Sequence, residues 1–336
     1  MKKRLFLSVM KVCSLLIALM MVFTGCFLTE EPETTETESE TTKKSTPNNK
    51  VEVVDDQIRV LITSDMHHNT IQNWYGVDTD DRMQRWVDSI LIEHKKSPID
   101  LIIINGDTSL DYVGQKGTYD TKGISETKEF VDEYVSQLPD EIPVIILPGN
   151  HECYTNAMWK QITGNDRQCS IALKGNLFIF PDNFRETLGD DYAGYAAPES
   201  AVDVDFVKAQ MALYPDHNVW LVSHYFNLNV ETSGEFAKIV RDSRVKGLFV
   251  GHAHITEIET LSTEYGGKKM VNCGNFSYSG DESSEEALKN SFWGHRELVI
   301  GKDFAISNYI VVETHIKIGN ESFDVPYKKV KQVRFY

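Results

Sequence analysis

IRVLITSDMH, residues 58–67, is an apolar, β-branched run that closes on an acid and a histidine two positions apart. Short runs of this kind bounded by polar residues read as buried strands. Ile58 to Thr63 is therefore predicted as a strand, with Asp65 and His67 just past its carboxyl end. The same design recurs four times. Leu101 to Asn105 leads into Gly106-Asp107, Val144 to Leu147 into Gly149-Asn150-His151-Glu152, Val219 to Val222 into Ser223-His224, and Leu248 to Val250 into Gly251-His252-Ala253-His254. The crevice beyond strand ends is where loops converge on ligands while the sheet holds them rigid. Five such clusters, holding five of the ten histidines, predict a shared centre.

Between the clusters, Asp80 to Lys96 sets Met83, Trp86, Val87, Ile90 and Leu91 at helical spacing, and Glu126 to Leu138 does the same with Phe130, Val131, Tyr134, Val135 and Leu138. Val202 to Tyr214 is a third amphipathic segment. Strand, helix, strand alternation predicts an α/β fold with a parallel core. Cys153 to Ser200 lacks clear periodicity and reads as a long loop placed to roof the site and select the substrate. Beyond His254, Lys268 to Cys273, Glu297 to Ile300, Ala305 to Thr314 and Ser322 to Val333 read as strands, predicting a second sheet packed on the first. No boundary or repeat divides residues 51–336.

Two divalent ions about 3.5–4 Å apart repel, so they need a bridging anion and a mixed shell of carboxylate, amide and imidazole. The clusters supply that set. Singly each is commonplace, since a lone histidine after a strand is more often structural; their joint order carries the weight.

In that order the clusters resemble the calcineurin-like metallophosphoesterase superfamily, from Ile58 to about Phe276. The resemblance implies an α/β β-sandwich flanked by helices in four αββα layers. It implies that Asp65, His67 and His254 bind a first ion, that Asn150, His224 and His252 bind a second, and that Asp107 bridges them. The ions would be Mn, Fe, Zn or Co, a mixed nitrogen and oxygen shell suiting each. The implied reaction is attack on phosphorus by a metal-activated hydroxide, with His151 as general acid or electrostatic partner of the leaving oxygen. One departure stands out. Relatives commonly place an acid three residues after the bridging Asp, to orient the catalytic His; here that position is Leu110 and the acid, Asp111, comes one later. Either Asp111 reaches His151 through a longer loop or the His acts alone. Leu110 and His67 also argue against the purple acid phosphatase branch, which has a metal-binding Tyr at the first position and no ligand His in the first cluster. Trp74, Tyr75, Asn275, Tyr278 and Trp293 are candidate rim residues, and His68 a candidate substrate contact or an incidental neighbour. His94, His217, His295 and His315 read as structural or surface.

The amino terminus is basic at Met1 to Arg4 and apolar from Val12 to Thr24, too short for a membrane-spanning helix of about 20 residues. Residues 1–25 therefore read as a signal peptide. Phe23-Thr24-Gly25-Cys26 resembles a bacterial lipobox, with Phe23 where Leu is preferred. The resemblance implies a lipid on Cys26 and anchorage on the outer face of a bacterial cell membrane. An ordinary signal peptide with an incidental Cys26 is the alternative. Residues 26–50 are rich in Thr, Glu, Ser and Lys with little to bury, a disordered tether to the domain at 51–336.

The chain carries a net charge of −16, and its signal segment holds four bases and no acid. No basic run offers a phosphate-neutralising groove, so nucleic acid is not an expected partner, and no protein partner is implied. Cys153 and Cys169 could pair in an exported protein or remain thiols; no cysteine spacing matches a zinc motif. The chain thus reads as a metal-dependent hydrolase of phosphomonoesters or phosphodiesters. The alternatives are a catalytically idle surface lipoprotein that captures metal or phosphate, and a nuclease on the same fold.

Overall fold

The computed structural model describes residues 56–69, 77–111, 125–184, 186, 197, 199–226, 228, 234–277, 293–312, 315–318, 321–324 and 332–336. The expectations for the signal segment, Cys26, the tether, Trp74, Tyr75 and Tyr278 lie outside the described residues. In chain order the elements are β1 (Ile58–Thr63), α1 (Thr79–Lys96), β2 (Leu101–Asn105), α2 (Glu126–Glu133), β3 (Val144–Leu147), α3 (Asn156–Thr163), β4 (Cys169–Leu173), β5 (Asn176–Phe180), α4 (Val204–Leu213), β6 (Asn218–Val222), α5 (Glu235–Arg241), β7 (Val245–Val250), β8 (Ile258–Thr260), β9 (Lys269–Asn272), β10 (Gly294–Gly301), β11 (Phe304–Val311), β12 (His315–Ile318), β13 (Glu321–Asp324) and β14 (Val333–Arg334).

Local sequence chemistry sets the helix starts. Asp78, Ser125, Thr155 and Asp203 each accept a hydrogen bond from a backbone N–H in the first turn of the helix that follows, satisfying donors that no carbonyl reaches. In α1, Asp80 and Asp81 open the helix and Lys95 and Lys96 close it, matching the helix dipole at both ends. Between β4 and β5, Lys174 and Gly175 both adopt positive φ, 42° and 78°, as a two-residue hairpin turn with the twist of the flanking strands requires.

The strands form two six-stranded sheets, ordered β14-β11-β10-β1-β2-β3 and β4-β5-β6-β7-β9-β8. Within them β1-β2-β3 and β5-β6-β7-β9 are parallel. Ile58, Val60, Ile62, Leu101 and Ile103 of one sheet pack with Phe178, Phe180, Trp220, Val222, Phe249 and Val271 of the other. On its other face the first sheet packs Leu61, Ile102 and Ile104 under Trp86 and Ile90 of α1, Phe130 of α2 and Trp159 of α3. The second packs Leu177, Leu221 and Leu248 under Val207 of α4 and Phe236 and Val240 of α5. Two sheets between two helical layers give the expected four-layer αββα architecture.

Two expectations change. Of the late strands, Lys268 to Cys273 joins the second sheet as β9 beside β7, but β10 and β11 do not: β10 pairs antiparallel with β1, Ile58 opposite Ile300, so the chain returns to complete the first. The second sheet instead begins inside Cys153 to Ser200, which contains α3, β4 and β5. Each of those elements is only five to eight residues long, too short for its period to stand out. Cys153 and Cys169 form no disulfide; Cys153 packs with Phe184 and Ala197.

Candidate metal centre

Every cluster lies just beyond the carboxyl end of its strand, β1, β2, β3, β6 and β7 in turn. Backbone bonds weave the loops together. Asp65 N–H donates to Gly106 O, His67 N–H to Asp107 O, and Gly251 N–H to His224 O. Two glycines permit this approach: a Cβ on Gly149 would strike the Asp107 carboxylate and backbone, and one on Gly251 would strike Ser64 Oγ. Six non-glycine described residues have positive φ, and five of them are Asp65, His67, Asp107, His252 and His254. Left-handed backbone costs an L-residue about 1–2 kcal/mol, and strain of this kind concentrates at functional sites.

These turns aim the donors at one region. Asp65 Oδ1 lies 3.2 Å from His254 Nε2, and His67 Nε2 lies 3.2 Å from His254 Nε2. Asp107 Oδ2 lies 3.1 Å from His224 Nε2 and 3.7 Å from His67 Nε2, between both groups. Asn150 Oδ1 lies 2.7 Å from His252 Nδ1 and 3.2 Å from His224 Nε2. Three sets of ligand atoms each fall within 4.8 Å of one another: Asp65, His67 and His254; His67, Asp107 and His151; Asp107, His224 and His252. Asp107 occurs in the last two.

The residues fit divalent cations. Asp65, Asp107, His67 and His224 are all buried. Burial alone would raise both carboxyls, but surrounding imidazoles outweigh it and hold them low, Asp107 furthest. Burial likewise pulls His224 down, yet the fields of Asp107 and Asp65 push it up to about 10. A potential that negative, lined with convergent nitrogen and oxygen donors, is what a cation requires. Burial drives His67 well below the usual imidazole range, which keeps its nitrogen a ligand. His224 Nδ1 donates to Asn105 O at 2.8 Å, turning Nε2 toward the centre.

His151 is 14% exposed and its Nε2 lies 3.8 Å from Asp107 Oδ2. Its Nδ1 is buried with no hydrogen-bond partner. Asp111 does not reach it. That carboxylate accepts the N–H groups of Glu126 and Thr127, the Thr127 hydroxyl and the Tyr154 hydroxyl, at the start of α2. Of the expected rim residues, Asn275 is buried and donates to His254 O, and Trp293 is buried against Phe276 and donates to Ser277 O. His68 is buried near Phe130 and Tyr134 rather than at the site mouth. His295 meets Ser89 at 2.6 Å inside the core, and His94 accepts the Ile99 N–H.

Several contributors escaped the sequence reading. Glu152 accepts the N–H groups of Asp107, Ser109 and Gly149 at 2.7–3.0 Å, tying the β2 loop to the β3 loop. Burial first, and Asp107 next, raise this carboxyl to about 8. Tyr225 packs its ring 4.9 Å from that of His252, and Glu199 lies 4.0 Å from His252 Nε2. Glu152 was visible as part of its motif; Tyr225 and Glu199 carry no sequence signal.

Solved structures resemble this chain to different degrees. A dimetal phosphatase from Danio rerio shares its fold, aligning at 12% identity and TM-score 0.56 and covering 83% of this chain and 98% of that one. GAP50 of Plasmodium, described as the anchor in the inner membrane complex, aligns at 13% identity and TM-score 0.48, covering 82% and 89%. A Vps29 from Entamoeba histolytica, described as complexed with zinc, aligns at 12% identity and TM-score 0.38, covering 83% and 100%. No curated protein matches the chain. The calcineurin-like phosphoesterase family model spans residues 58–256, a stretch that contains all five strand-end clusters, and the chain belongs to that family.

Proposed function

We propose that this protein is an extracytoplasmic phosphoesterase that hydrolyses phosphomonoesters or phosphodiesters at a two-metal centre. The observation that carries the reading is the position of Asp107, whose carboxylate lies within reach of His67 on one side and His224 on the other. Asp65, His67 and His254 would hold one ion, Asn150, His224 and His252 the other, and Asp107 both. Bound divalent ions there would lower the pKa of water and offset charge on the phosphoryl oxygens. His151 stands at the partly open side of the cluster, where it can hand a proton to the departing oxygen. The amino-terminal pattern supports export and a lipid anchor on Cys26.

The test uses metal-stripped protein from residue 51 onward, given Mn, Zn, Fe or Mg in turn, with p-nitrophenyl phosphate and bis-p-nitrophenyl phosphate as substrates. Metal-dependent turnover that vanishes in Asp107→Ala establishes the reading, and the ratio of the two rates separates monoesterase from diesterase. A second reading, a binding protein without turnover, draws on one observation: no hydrogen bond holds His151 Nδ1. Two ions bound per chain and phosphate captured without any hydrolysis would favour it.

A further inference from the structure

Arg82 lies near the start of α1 with its side chain wholly buried. It does not point at the ligands themselves. Nη1 donates to Met66 O and, at 2.5 Å, to Phe276 O, while Nη2 donates to His67 O at 3.0 Å. These carbonyls belong to two loops, one after β1 and one after β9. The first carries Asp65 and His67, both forced into left-handed backbone with φ of 54° and 43°. The second is tied to its neighbours by Phe276 N–H, which donates to Asp65 O, and by Asn275 Nδ2, which donates to His254 O at 2.9 Å. One guanidinium therefore joins the segments that set the backbone of Asp65, His67 and His254. Most of the other group is held differently, Asn150 O accepting from Ala197 N–H and His224 O from Gly251 N–H, while His252 N–H donates to the Asp65 carboxylate at 3.0 Å. The three Arg82 side-chain bonds go to neither Asn150 nor His224.

We propose that Arg82 is a positioning residue for the first metal position, locking the backbone of Asp65, His67 and His254 while leaving the second position to other supports. A planar fork with donors on two nitrogens suits carbonyls that diverge from two loops, which a single ammonium cannot span equally. Loss of partners that orient metal ligands commonly weakens metal affinity about 10- to 100-fold. The inference rests on the proposed ligand sets, and its test reads metal binding rather than turnover.

The experiment titrates metal-free protein with Co(II), following its visible absorption, in wild type, Arg82→Met and Arg82→Lys. His254→Ala and His252→Ala serve as references that identify each ion's transition. The expected result is a first-position affinity weakened about 10- to 100-fold in Arg82→Met, a smaller loss in Arg82→Lys, and a second-position affinity within about twofold of wild type. Should Arg82→Met fail to fold, Arg82→Lys and Asn275→Ala carry the comparison, each expected to weaken the first position selectively. Equal weakening of both positions, or none, overturns the inference while leaving the metal centre intact. Wild-type protein that takes up no Co(II) overturns the metal centre and this inference together.

Discussion

His151 is held by its backbone, not by its ring. Its N–H donates to Asp107 Oδ1 at 3.1 Å, while Asp111, the acid that sequence offered as its orienting partner, serves the first turn of α2. His151→Ala should therefore keep both ions and lower turnover about 10²–10⁴-fold, the range of general acid catalysis. The loss should be greatest for alkyl esters, whose leaving oxygens need the proton, and rates across esters of graded leaving-group pKa would check it. Equal losses on all esters would assign His151 to electrostatic stabilisation alone. Glu152 belongs to the same scale. Its carboxylate accepts three backbone N–H groups, so Glu152→Ala leaves buried donors unmet and should cost about 1–3 kcal/mol for each, with unfolding by urea as the readout. The candidate ligands were legible as a set because Asp, Asn and His stand together at strand ends, where the structure brings their side chains close. The work of Glu152 and Arg82 was not, because it depends on where backbone N–H and C=O groups point, and residue type does not encode that.

At the level of elements, α1, β1 and β10 meet around Arg59, which is 3% exposed and the one charged residue of β1. Its guanidinium bonds Glu93 Oε2 of α1 at 2.7 Å and Glu297 Oε1 of β10 at 2.6 Å, and also takes the Glu93 and Ser97 carbonyls. Burial alone would raise Glu93, but hydrogen bonds from Lys96 and Arg59 outweigh it and lower it. A lowered folded value means stability present above the unfolded pKa of about 4.3 and lost as pH falls through the folded value. Glu93→Gln should therefore cost about 2 kcal/mol at pH 7, and the gap from wild type should close in acid. Unfolding midpoints from pH 7 down to pH 3 test this; a gap that stays constant with pH would remove the charge from the account. The β1, β2 and β3 boundaries were readable from sequence because those strands are continuous apolar runs. The short elements of Cys153 to Ser200 were not, and β10 and β11 were read as strands but assigned to the wrong sheet, because pairing across the whole chain leaves no local trace.

On the scale of the molecule, the proposed ligands come from both sheets: Asp65, His67, Asp107 and Asn150 follow β1, β2 and β3, whereas His224, His252 and His254 follow β6 and β7. Ions bound there would fasten one sheet to the other. Metal at 100 times its dissociation constant should add about 2.7 kcal/mol to stability, seen as a melting temperature that rises with added Mn or Zn in wild type but not in Asp107→Ala. The proposed anchor is tested at this scale too. Full-length protein should fractionate with membranes in a bacterial host and Cys26→Ser should release it; an unchanged distribution would count against lipidation.

The antiparallel pairing of β10 with β1 also governs the order in which the chain can fold. β1 forms one of its edges with β2, about forty residues ahead, but the other must wait for residues 294–301. Contacts that distant in sequence slow folding. Until they form, a strand that is buried throughout in the finished protein presents bare amides and carbonyls to any neighbour. A fragment that stops at residue 277 keeps β8, β9 and every proposed metal ligand yet should aggregate as it is made. Extending it through residue 311 restores the missing strand pair, and soluble yield of the two fragments measures how much the last strands protect the first.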